Sequence, residues 1–292
     1  MFTDFPCAKI NLGLNIVNRR ADGYHDLETV FYPVGICDEI RMEACSEAET
    51  NGEACRFVVE GLDIEGDIND NLVVKACRMV KEKHKEMPAV KIVLKKQIPM
   101  QAGMGGGSAD CAYTITMLNR LFSLGMSKDE MRQMAASLGA DCAFFIDPVP
   151  AFATGIGEKL EPIDVDLSGY CIAIVKPSLK ISTREAFANV TPCRPEKCCK
   201  DIVMSPIEKW KEELVNDFEK SIISTHPEIA DIKQRLYDMG AVYAAMTGSG
   251  SALFAFFSID KTAPDAESKN NILTLENALA TTFANCFTFV SK

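Results

Sequence analysis

The sequence predicts an α+β fold made of two domains. Residues 8–17 alternate apolar with polar side chains, which is the period of a half-buried strand. Residues 71–83 carry apolar side chains at every third or fourth position, the spacing of one helix face. Strands and helices of these kinds are mixed along all 292 residues, so neither an all-helical nor an all-strand class fits. Prolines and glycines cluster at 148–162, which favours a first domain at 1–160 and a second at 161–292.

The composition excludes several classes of protein. Apolar residues make up 47% of the chain and charged residues 25%, which is typical of a folded globular protein and not of a disordered one. The net charge of −10 repels polyanions, so we expect no nucleic-acid partner. No segment approaches the roughly 18 unbroken apolar residues of a membrane helix, and the first residues lack a basic flank followed by an apolar run. We therefore expect a cytoplasmic protein with no membrane partner.

The cysteines predict buried free thiols rather than disulfides. At about 4% of residues they are far sparser than in small secreted disulfide scaffolds. Most lie in apolar runs, as Cys142 and Cys171 do, where a free thiol behaves as a small hydrophobe. The dense group of Cys193, Cys198 and Cys199 has no nearby histidine and lacks zinc-site spacing, so metal binding there is the less favoured alternative.

The first half of the chain reads as a hairpin followed by a helix and a strand. The strand at 8–17 places Ile10 on an apolar face and Asn11 on an unusually polar one. A turn around Asp22 leads into a second apolar strand, so a hairpin with a polar tip is expected. The helix at 71–83 and an alternating strand at 90–96 follow.

Next comes a glycine loop between that strand and a helix. Five of the six residues at 102–107 are glycine or alanine, and apolar side chains at helical spacing follow from Ala112 to Phe122. A second helix begins at Ser127, where Glu130 completes a capping box, and Gly139 ends it.

The second half again mixes strands and helices. A strand at 170–177 precedes helical segments near 183–189, 206–224 and 227–239. Two strands are then separated only by the Gly-Ser-Gly-Ser turn at 248–251, and a last helix and strand complete the chain.

The glycine loop is the strongest candidate functional feature. Glycines let the backbone curl with its N–H groups inward, and the following helix start adds partial positive charge, so the pair forms a phosphate cradle. The alternative is a flexible linker. No GK[ST] follows the glycines, and the GxGxxG, HRD, DFG and HExxH motifs are missing, which excludes the common P-loop, dinucleotide, protein-kinase and zinc-protease patterns. A phosphate-transfer site of another kind is left.

Three separated segments carry a resemblance to a known family. The loop PMQAGMGGGSAD, the early strand AKINLGL and the turn AAMTGSGSALFAFF together resemble the three motifs of the GHMP kinases. The resemblance implies a two-lobed GHMP kinase fold, with an N-terminal ATP-binding lobe and a C-terminal ferredoxin-like lobe. It also implies ATP and Mg²⁺ as cofactors, a site between the lobes, and a monomer or weak homodimer. The segment RADGYH is similar to a branch of the family whose small-molecule substrate carries a cytidine diphosphate group.

The resemblance assigns catalysis to two residues. Asp141 would accept the proton of a substrate hydroxyl as it attacks the γ-phosphate, and Lys9 would hold that carboxylate ionised and offset transition-state charge. From the residues alone, the favoured interpretation is that Asp141 is a helix N-cap or turn carboxylate and that Lys9 is a solvated strand end. Asn11, on the same strand face as Lys9, would hydrogen-bond the substrate hydroxyls.

The resemblance also implies a substrate site. Tyr24 and His25 look like the cytidine-recognition pair, with Phe187 as a second stacking ring and Thr183 as a hydroxyl partner. Phe187 could instead be only a core residue of a short helix. The turn would approach a diphosphate, of either substrate or nucleotide, through Gly248, Ser249 and Gly250.

On the nucleotide side, Asn71 and Lys95 would lie near the far end of ATP. Ser108 could contact Mg²⁺, while Asp110 could face the phosphates or cap the helix. The residues expected to surround the triphosphate are Pro99, Met100, Gln101, Ala102, Gly103, Met104, Gly105, Gly106, Gly107, Ser108 and Ala109.

Two other functions stay open at this point. Another GHMP kinase, acting on mevalonate, homoserine or a sugar, would have no use for Tyr24, His25 and Phe187. A catalytically inactive nucleotide-binding regulator is the alternative from another class, against which the presence of both Lys9 and Asp141 argues.

Overall fold

The computed structural model describes residues 1–188, 190–259 and 265–291, and mixes strands with helices as predicted. The strands are β1 (Phe2–Asp4), β2 (Cys7–Arg19), β3 (His25–Cys37), β4 (Glu39–Cys45), β5 (Cys55–Gly61), β6 (Ala89–Lys96), β7 (Ala151–Thr154), β8 (Lys159–Pro162), β9 (Tyr170–Pro177), β10 (Tyr243–Met246), β11 (Leu253–Ser258) and β12 (Cys286–Ser291). The helices are α1 (Leu72–Lys83), α2 (Gly106–Leu121), α3 (Lys128–Leu138), α4 (Thr183–Ala188), α5 (Cys199–Val203), α6 (Trp210–Glu213), α7 (Asp217–Thr225), α8 (Pro227–Asp238) and α9 (Asp265–Thr282). Short 3₁₀ helices lie at Glu47–Thr50, Ile68–Asp70, Cys142–Ile146 and Ile207–Lys209.

Contacts divide the chain into two compact units. The first comprises residues 1–8, 36–100 and 105–148, and the second comprises 9–35, 101–104 and 149–292. Both units are therefore assembled from segments that are separate in the sequence. The division into domains at 1–160 and 161–292 stays a prediction.

The first unit places three helices beside a four-stranded sheet of order β1-β4-β6-β5. Strand β6 pairs antiparallel with β4 and parallel with β5. Helix α1 packs against α2 and α3, and α2 also packs against α3. The predicted capping box is present, since Ser127 Oγ accepts from Glu130 N and a Glu130 carboxylate oxygen accepts from Ser127 N.

The second unit contains two sheets, of order β2-β3-β7-β8 and β10-β11-β9-β12. In the latter the chain runs strand, helices, two strands, helix, strand, which is the ferredoxin-like topology. Its core packs β9 and β11 against α7 and α8 through side chains that include Val175, Leu253, Phe218, Ile222, Ile229 and Leu236. The predicted ferredoxin-like lobe is confirmed.

Strand β2 differs from the half-buried strand that its alternation predicts. Its polar face is also buried, because other segments of the second unit cover it. A Cβ on Gly13 would lie 2.6 Å from a Leu214 carbon, which shows how closely that segment approaches. Asn15 and the N–H of Ile16 donate hydrogen bonds to Asp217, of 3.3 and 2.7 Å.

The helical segment predicted near 206–224 is helical but not continuous, because the chain breaks between α6 and α7. The break allows Val215 O to accept a 2.9 Å hydrogen bond from Leu14 N of β2. Asn216 then begins α7 by accepting from Phe218 N, while its amide donates to the carbonyls of Met246 and Gly248. The helix predicted at 183–189 is present as α4, and residue 189 lies outside the described residues.

All twelve cysteines are free thiols, but fewer are buried than expected. The buried ones are Cys77, Cys111, Cys142, Cys171 and Cys199, whereas Cys193 is exposed and the other six are half-buried. Within the described ranges, no three Cys, His, Asp or Glu side chains come together as a metal site. None of the helices in those ranges combines the length and apolar content that a bilayer crossing requires.

Candidate active site

Lys9 is a buried cation on β2, with only 3% of its surface exposed. Its ammonium donates to Asn11 Oδ1 at 2.6 Å and to Gly103 O at 3.0 Å, and it lies 5.0 Å from the centre of the Phe31 ring. These contacts hold the ammonium in one position, away from bulk water. The alternative of a solvated strand end is therefore wrong.

Asn11 and Thr247 extend this network. Asn11 Nδ2 donates to Thr29 Oγ1 at 3.0 Å, and Asn11 N donates to Thr247 Oγ1 at 3.1 Å. The Thr247 hydroxyl shares its hydrogen between Asn11 Oδ1 and Gly103 O, each 3.2 Å away. Each of the three side chains is at most 2% exposed, so Asn11 is locked in orientation.

Gly103, which belongs to the second unit, approaches the Thr247 backbone so closely that a side chain cannot fit. Its φ is +72°, and a Cβ there would lie 2.0 Å from Thr247 O. Beside it, Lys9 N donates to Met104 O at 3.0 Å. The predicted loop segment 101–104 is thereby fixed next to the Lys9 ammonium.

The start of α2, in the first unit, has the form of a phosphate cradle. Gly105 is the N-cap residue, with φ +71° and no side-chain capping hydrogen bond. The first-turn N–H groups therefore lack the usual side-chain acceptor. A Cβ on Gly107 would meet nothing within 4 Å, so the backbone is open to an approaching anion there.

A buried charge cluster lies beneath this first turn. Lys96 Nζ forms an ion pair with Asp110 Oδ2 at 2.7 Å and a second ion pair with Asp38. Asp38 Oδ1 also accepts from the backbone N–H groups of Gln97 and Ile98. Asp110 thus pairs with Lys96, and it does not cap the helix.

Lys96 also lies close to the glycine helix itself. A Cβ on Gly106 would be 3.0 Å from Lys96 Nζ, which places the ammonium directly under the first turn of α2. Burial alone would lower the pKa of Lys96, but Asp110 and Asp38 outweigh it and raise that pKa.

Asp110 is the member of the cluster with an unsatisfied side-chain oxygen. Its Oδ1 is buried and has no hydrogen-bond partner among the described residues. Burial raises the pKa of Asp110 to about 7, with Asp38 adding to the rise and Lys96 opposing it.

The two residues expected near the far end of ATP lie at different places in the first unit. Asn71 is the N-cap of α1, and its Oδ1 accepts from Val73 N at 2.9 Å. Lys95 is exposed on β6, next to the buried Lys96. Neither position tests their role in binding a nucleotide.

Asp141 and Ser108 lie on two elements of the first unit that pack against each other. Asp141 occupies the N-cap position of the 3₁₀ helix at Cys142–Ile146, but its carboxylate makes no capping hydrogen bond. That 3₁₀ helix packs against α2. The neighbouring Cys111 thiol and, more weakly, the Ser108 hydroxyl lower the pKa of Cys142 against the effect of burial, so both groups lie near the residue after Asp141.

The expected cytidine-binding residues partly meet in the second unit. The His25 and Phe187 rings stack with centroids 4.6 Å apart and planes 19° from parallel. The Phe187 and Phe218 rings also pack edge-on, with centroids 4.8 Å apart. Phe187 therefore makes a core contact as well, as the alternative interpretation expected. Tyr24 is 62% exposed at the hairpin tip, and Thr183 is exposed at the start of α4.

The turn after β10 holds donors without acceptors. Gly248 and Gly250 have φ of +53° and +87°, and Gly250 N donates to Thr247 O at 3.0 Å. The N–H groups of Gly248, Ser249 and Ser251 make no hydrogen bond to any described residue. Such a turn can receive an anion.

Sequence reasoning missed Lys96, Asp38 and Thr247. One signal was available, because Lys96 continues the alternation of the buried Ile92 and Leu94 along β6. A lysine whose position in the alternation places it on the buried face of a strand requires a buried, oppositely charged partner. Nothing in the sequence indicated that Thr247 would meet Asn11, from which it is separated by 236 positions.

Comparison with known proteins identifies the family. The N-terminal domain of the GHMP kinases matches residues 71–155, and their C-terminal domain matches residues 204–281. The 4-diphosphocytidyl-2-C-methyl-D-erythritol kinase of Bacteroides thetaiotaomicron is 46% identical over 275 residues, covering 94% of this chain and 99% of that protein. The enzyme of the same name from Parabacteroides distasonis is 45% identical over 87% of this chain and 90% of its own.

Solved structures agree. A crystal structure of 4-(cytidine 5′-diphospho)-2C-methyl-D-erythritol kinase superposes with a TM-score of 0.80 and 26% identity, over 99% of this chain and 98% of that one. The mevalonate kinase of Methanococcus jannaschii shares the fold, with a TM-score of 0.65 and 14% identity over 99% and 97% of the two chains. The chain therefore belongs to the GHMP kinase family. Within that family it groups with the 4-diphosphocytidyl-2-C-methyl-D-erythritol kinases.

Proposed function

We propose that this protein transfers the γ-phosphate of ATP to the 2-hydroxyl of 4-diphosphocytidyl-2-C-methyl-D-erythritol, in the non-mevalonate (methylerythritol phosphate) route to isoprenoid precursors. The observation that carries the chemistry is the buried Lys9 ammonium, held by Asn11 and by Gly103 of the glycine loop. The names of the relatives support the choice of substrate.

Asp141 is the proposed base. It accepts the proton of the 2-hydroxyl while the hydroxyl oxygen forms its bond to the γ-phosphorus and the bond from phosphorus to the ADP oxygen breaks. Lys9 lies in a buried, preorganised position, where a cation stabilises transferring charge far better than it would in water. Asn11 orients the substrate hydroxyls.

ATP is proposed to bind at the start of α2. The uncapped N–H groups of Gly106, Gly107 and Ser108 fit a phosphate group, and the helix dipole favours its negative charge. The rest of the segment 99–109 would surround the triphosphate, with Asn71 and Lys95 toward its other end. When bound, Mg²⁺ would neutralise phosphate charge, and the Ser108 hydroxyl is the side chain proposed to contact it.

The second unit is proposed to recognise the cytidine. The stacked His25 and Phe187 rings offer an aromatic surface, and the exposed Tyr24 ring can close on the base from the hairpin tip. Stacking on aromatic side chains is worth about 1–3 kcal/mol per base. Thr183 supplies a hydroxyl at the start of the same short helix as Phe187.

The first test is ADP release by the purified protein with ATP and Mg²⁺. Four alcohols are compared: 4-diphosphocytidyl-2-C-methyl-D-erythritol, mevalonate, homoserine and galactose. Turnover with the cytidylyl substrate alone is expected. Turnover with another alcohol would overturn the substrate assignment, and binding of ATP without any turnover would favour the inactive regulator.

Variants then test the roles. Asp141→Asn should lose turnover by about 10²-fold or more, since general base catalysis contributes ~10²–10⁴, whereas Asp129→Asn, at a surface carboxylate of α3, should not. Tyr24→Ala should raise KM for the cytidylyl substrate by about tenfold, and the matched change at another exposed aromatic residue, Phe5→Ala, should leave it unchanged. Full turnover by Asp141→Asn would overturn the mechanism.

A further inference from the structure

Lys176, at the end of β9, is a buried cation that has no acidic partner among the residues that the structure describes. Its side chain is 6% exposed. The ammonium donates to Pro177 O at 2.7 Å and to Leu179 O at 2.8 Å, and in the described parts of the chain no carboxylate lies within 4 Å of it. Two of its three N–H groups are therefore used, and its charge is not neutralised.

Such a charge is costly to bury. A desolvated ammonium that receives only carbonyl dipoles recovers less of its hydration free energy than one that is paired with a carboxylate. Burial lowers the pKa of Lys176, and the neighbouring Lys180 lowers it further. A buried ammonium that is paired only with carbonyl groups would be stabilised by an anionic ligand.

Lys176 lies close to the Gly248–Ser251 turn. Leu179 O accepts a hydrogen bond from Ser251 Oγ as well as from Lys176 Nζ. Two donors that share one acceptor are within roughly 5 Å of each other. The ammonium is thus next to the last residue of the turn.

That turn has donors of its own. The N–H groups of Gly248, Ser249 and Ser251 find no acceptor within the described residues, although Gly248 and Ser251 are buried. Buried backbone N–H groups are rarely left unpaired. Backbone N–H donors next to a positively charged ammonium are the kinds of group that bind anions in proteins.

The chain connects this place to the proposed cytidine site. Only five residues separate β9 from α4, which begins at Thr183 and carries Phe187. The diphosphate of the cytidylyl substrate is joined directly to the cytidine ribose, so it must lie near the group that binds the base.

We propose that Lys176 and the Gly248–Ser251 turn bind the diphosphate of the cytidylyl substrate, as a subsite for nucleoside diphosphate esters. The proposal rests on the proposed function. It assigns the turn to the substrate and not to the nucleotide, and it makes Lys176 the residue that recognises the negative charge of the substrate.

The test compares cytidine 5′-diphosphate with cytidine. Binding of each is measured by calorimetry in the presence of a saturating non-hydrolysable ATP analogue, so that the nucleotide site is filled. The wild-type protein should prefer the diphosphate by about tenfold or more, and Lys176→Met should bring the ratio close to one. KM for the cytidylyl substrate should rise by a similar factor, while KM for ATP changes by less than about twofold.

Two further variants separate charge from structure. Lys176→Gln keeps a donor for the two carbonyls but not the charge, and it should behave as Lys176→Met does, so it replaces that variant if the methionine chain does not fold. Lys176→Arg should restore part of the preference. Lys209→Met, at an exposed lysine of the same unit, is the control.

The outcomes distinguish the two proposals. A wild-type protein that neither binds cytidine nor phosphorylates the cytidylyl substrate would contradict the proposed function. A wild-type protein that turns over normally, together with a folded Lys176→Gln variant that keeps the diphosphate preference, would overturn the subsite alone. A rise in KM for ATP instead would assign the turn to the nucleotide and also overturn it.

Discussion

Lys96 and Asp110 form a 2.7 Å ion pair in which neither side chain is more than 3% exposed. Asp38 pairs with the same ammonium, so two carboxylates share one cation beneath the first turn of α2. The cluster ties the end of β6 to the helix that begins at the glycine loop. It therefore fixes the position of the proposed phosphate cradle without contacting a ligand.

Removing the Lys96 cation should be far more damaging than removing another lysine of the same strand. Lys96→Met would leave Asp38 and Asp110 buried without a counter-charge, and breaking a buried pair in this way costs about 3–5 kcal/mol. The free energy of unfolding, measured in urea, should fall by that amount. Lys91→Met, on the same strand but half-buried, should change it by less than about 1 kcal/mol. Equal effects of the two variants would contradict this account.

Asp110 should make stability depend on pH near neutrality. Its pKa in the folded protein is raised to about 7 from an ordinary 3.8, so its stabilising contribution is fully present below pH 3.8 and is lost as the pH rises through 7. Asp110→Asn stays neutral throughout. The stability of the variant relative to wild type should therefore rise between pH 4 and 7 by a few kcal/mol, since each pKa unit is about 1.4 kcal/mol, and level off above that. Urea unfolding curves across this range provide the check, and a pH-independent difference would count against the raised pKa.

Two glycines of the same loop should differ in their tolerance of a methyl group. Gly103→Ala would place a Cβ 2.0 Å from Thr247 O at a φ of +72°, so strain and displacement should destabilise the protein by about 2 kcal/mol or more. Gly107→Ala has open space at its Cβ, at a helical position where alanine is preferred to glycine. Its melting temperature should equal or exceed that of wild type. Equal losses at both positions would contradict the close approach at Gly103.

The Thr247 hydroxyl should matter for catalysis more than for folding. Thr247→Val keeps the shape but removes the link from Asn11 to Gly103, both of which contact the Lys9 ammonium. A small displacement of Lys9 should lower kcat by about ten- to a hundredfold, with KM for ATP nearly unchanged. Thr247→Ser keeps the hydroxyl and should recover most of the loss. If serine fails to rescue kcat, the effect is one of packing.

Local sequence patterns predicted most of the elements correctly, since each depends on near neighbours. The alternation at 90–96 gave β6, and the Ser127–Glu130 pair gave the start of α3. Where these patterns failed, a distant segment had intervened. The helix expected at 206–224 breaks because Val215 pairs with Leu14, and the polar face of β2 is buried because residues such as Leu214 cover it.

The sequence by itself determined the α+β class, the glycine-loop helix and, through its motifs, the GHMP kinase family, because motif residues adjacent in the chain report their own local chemistry. The tertiary structure decided which polar groups would share a buried environment. It gave Lys96 the two carboxylates Asp38 and Asp110, whereas Lys176 contacts no carboxylate in the part of the chain that the structure describes. The free energy of a buried charge depends on the groups that replace its hydration shell, and these groups come from residues far away in the sequence.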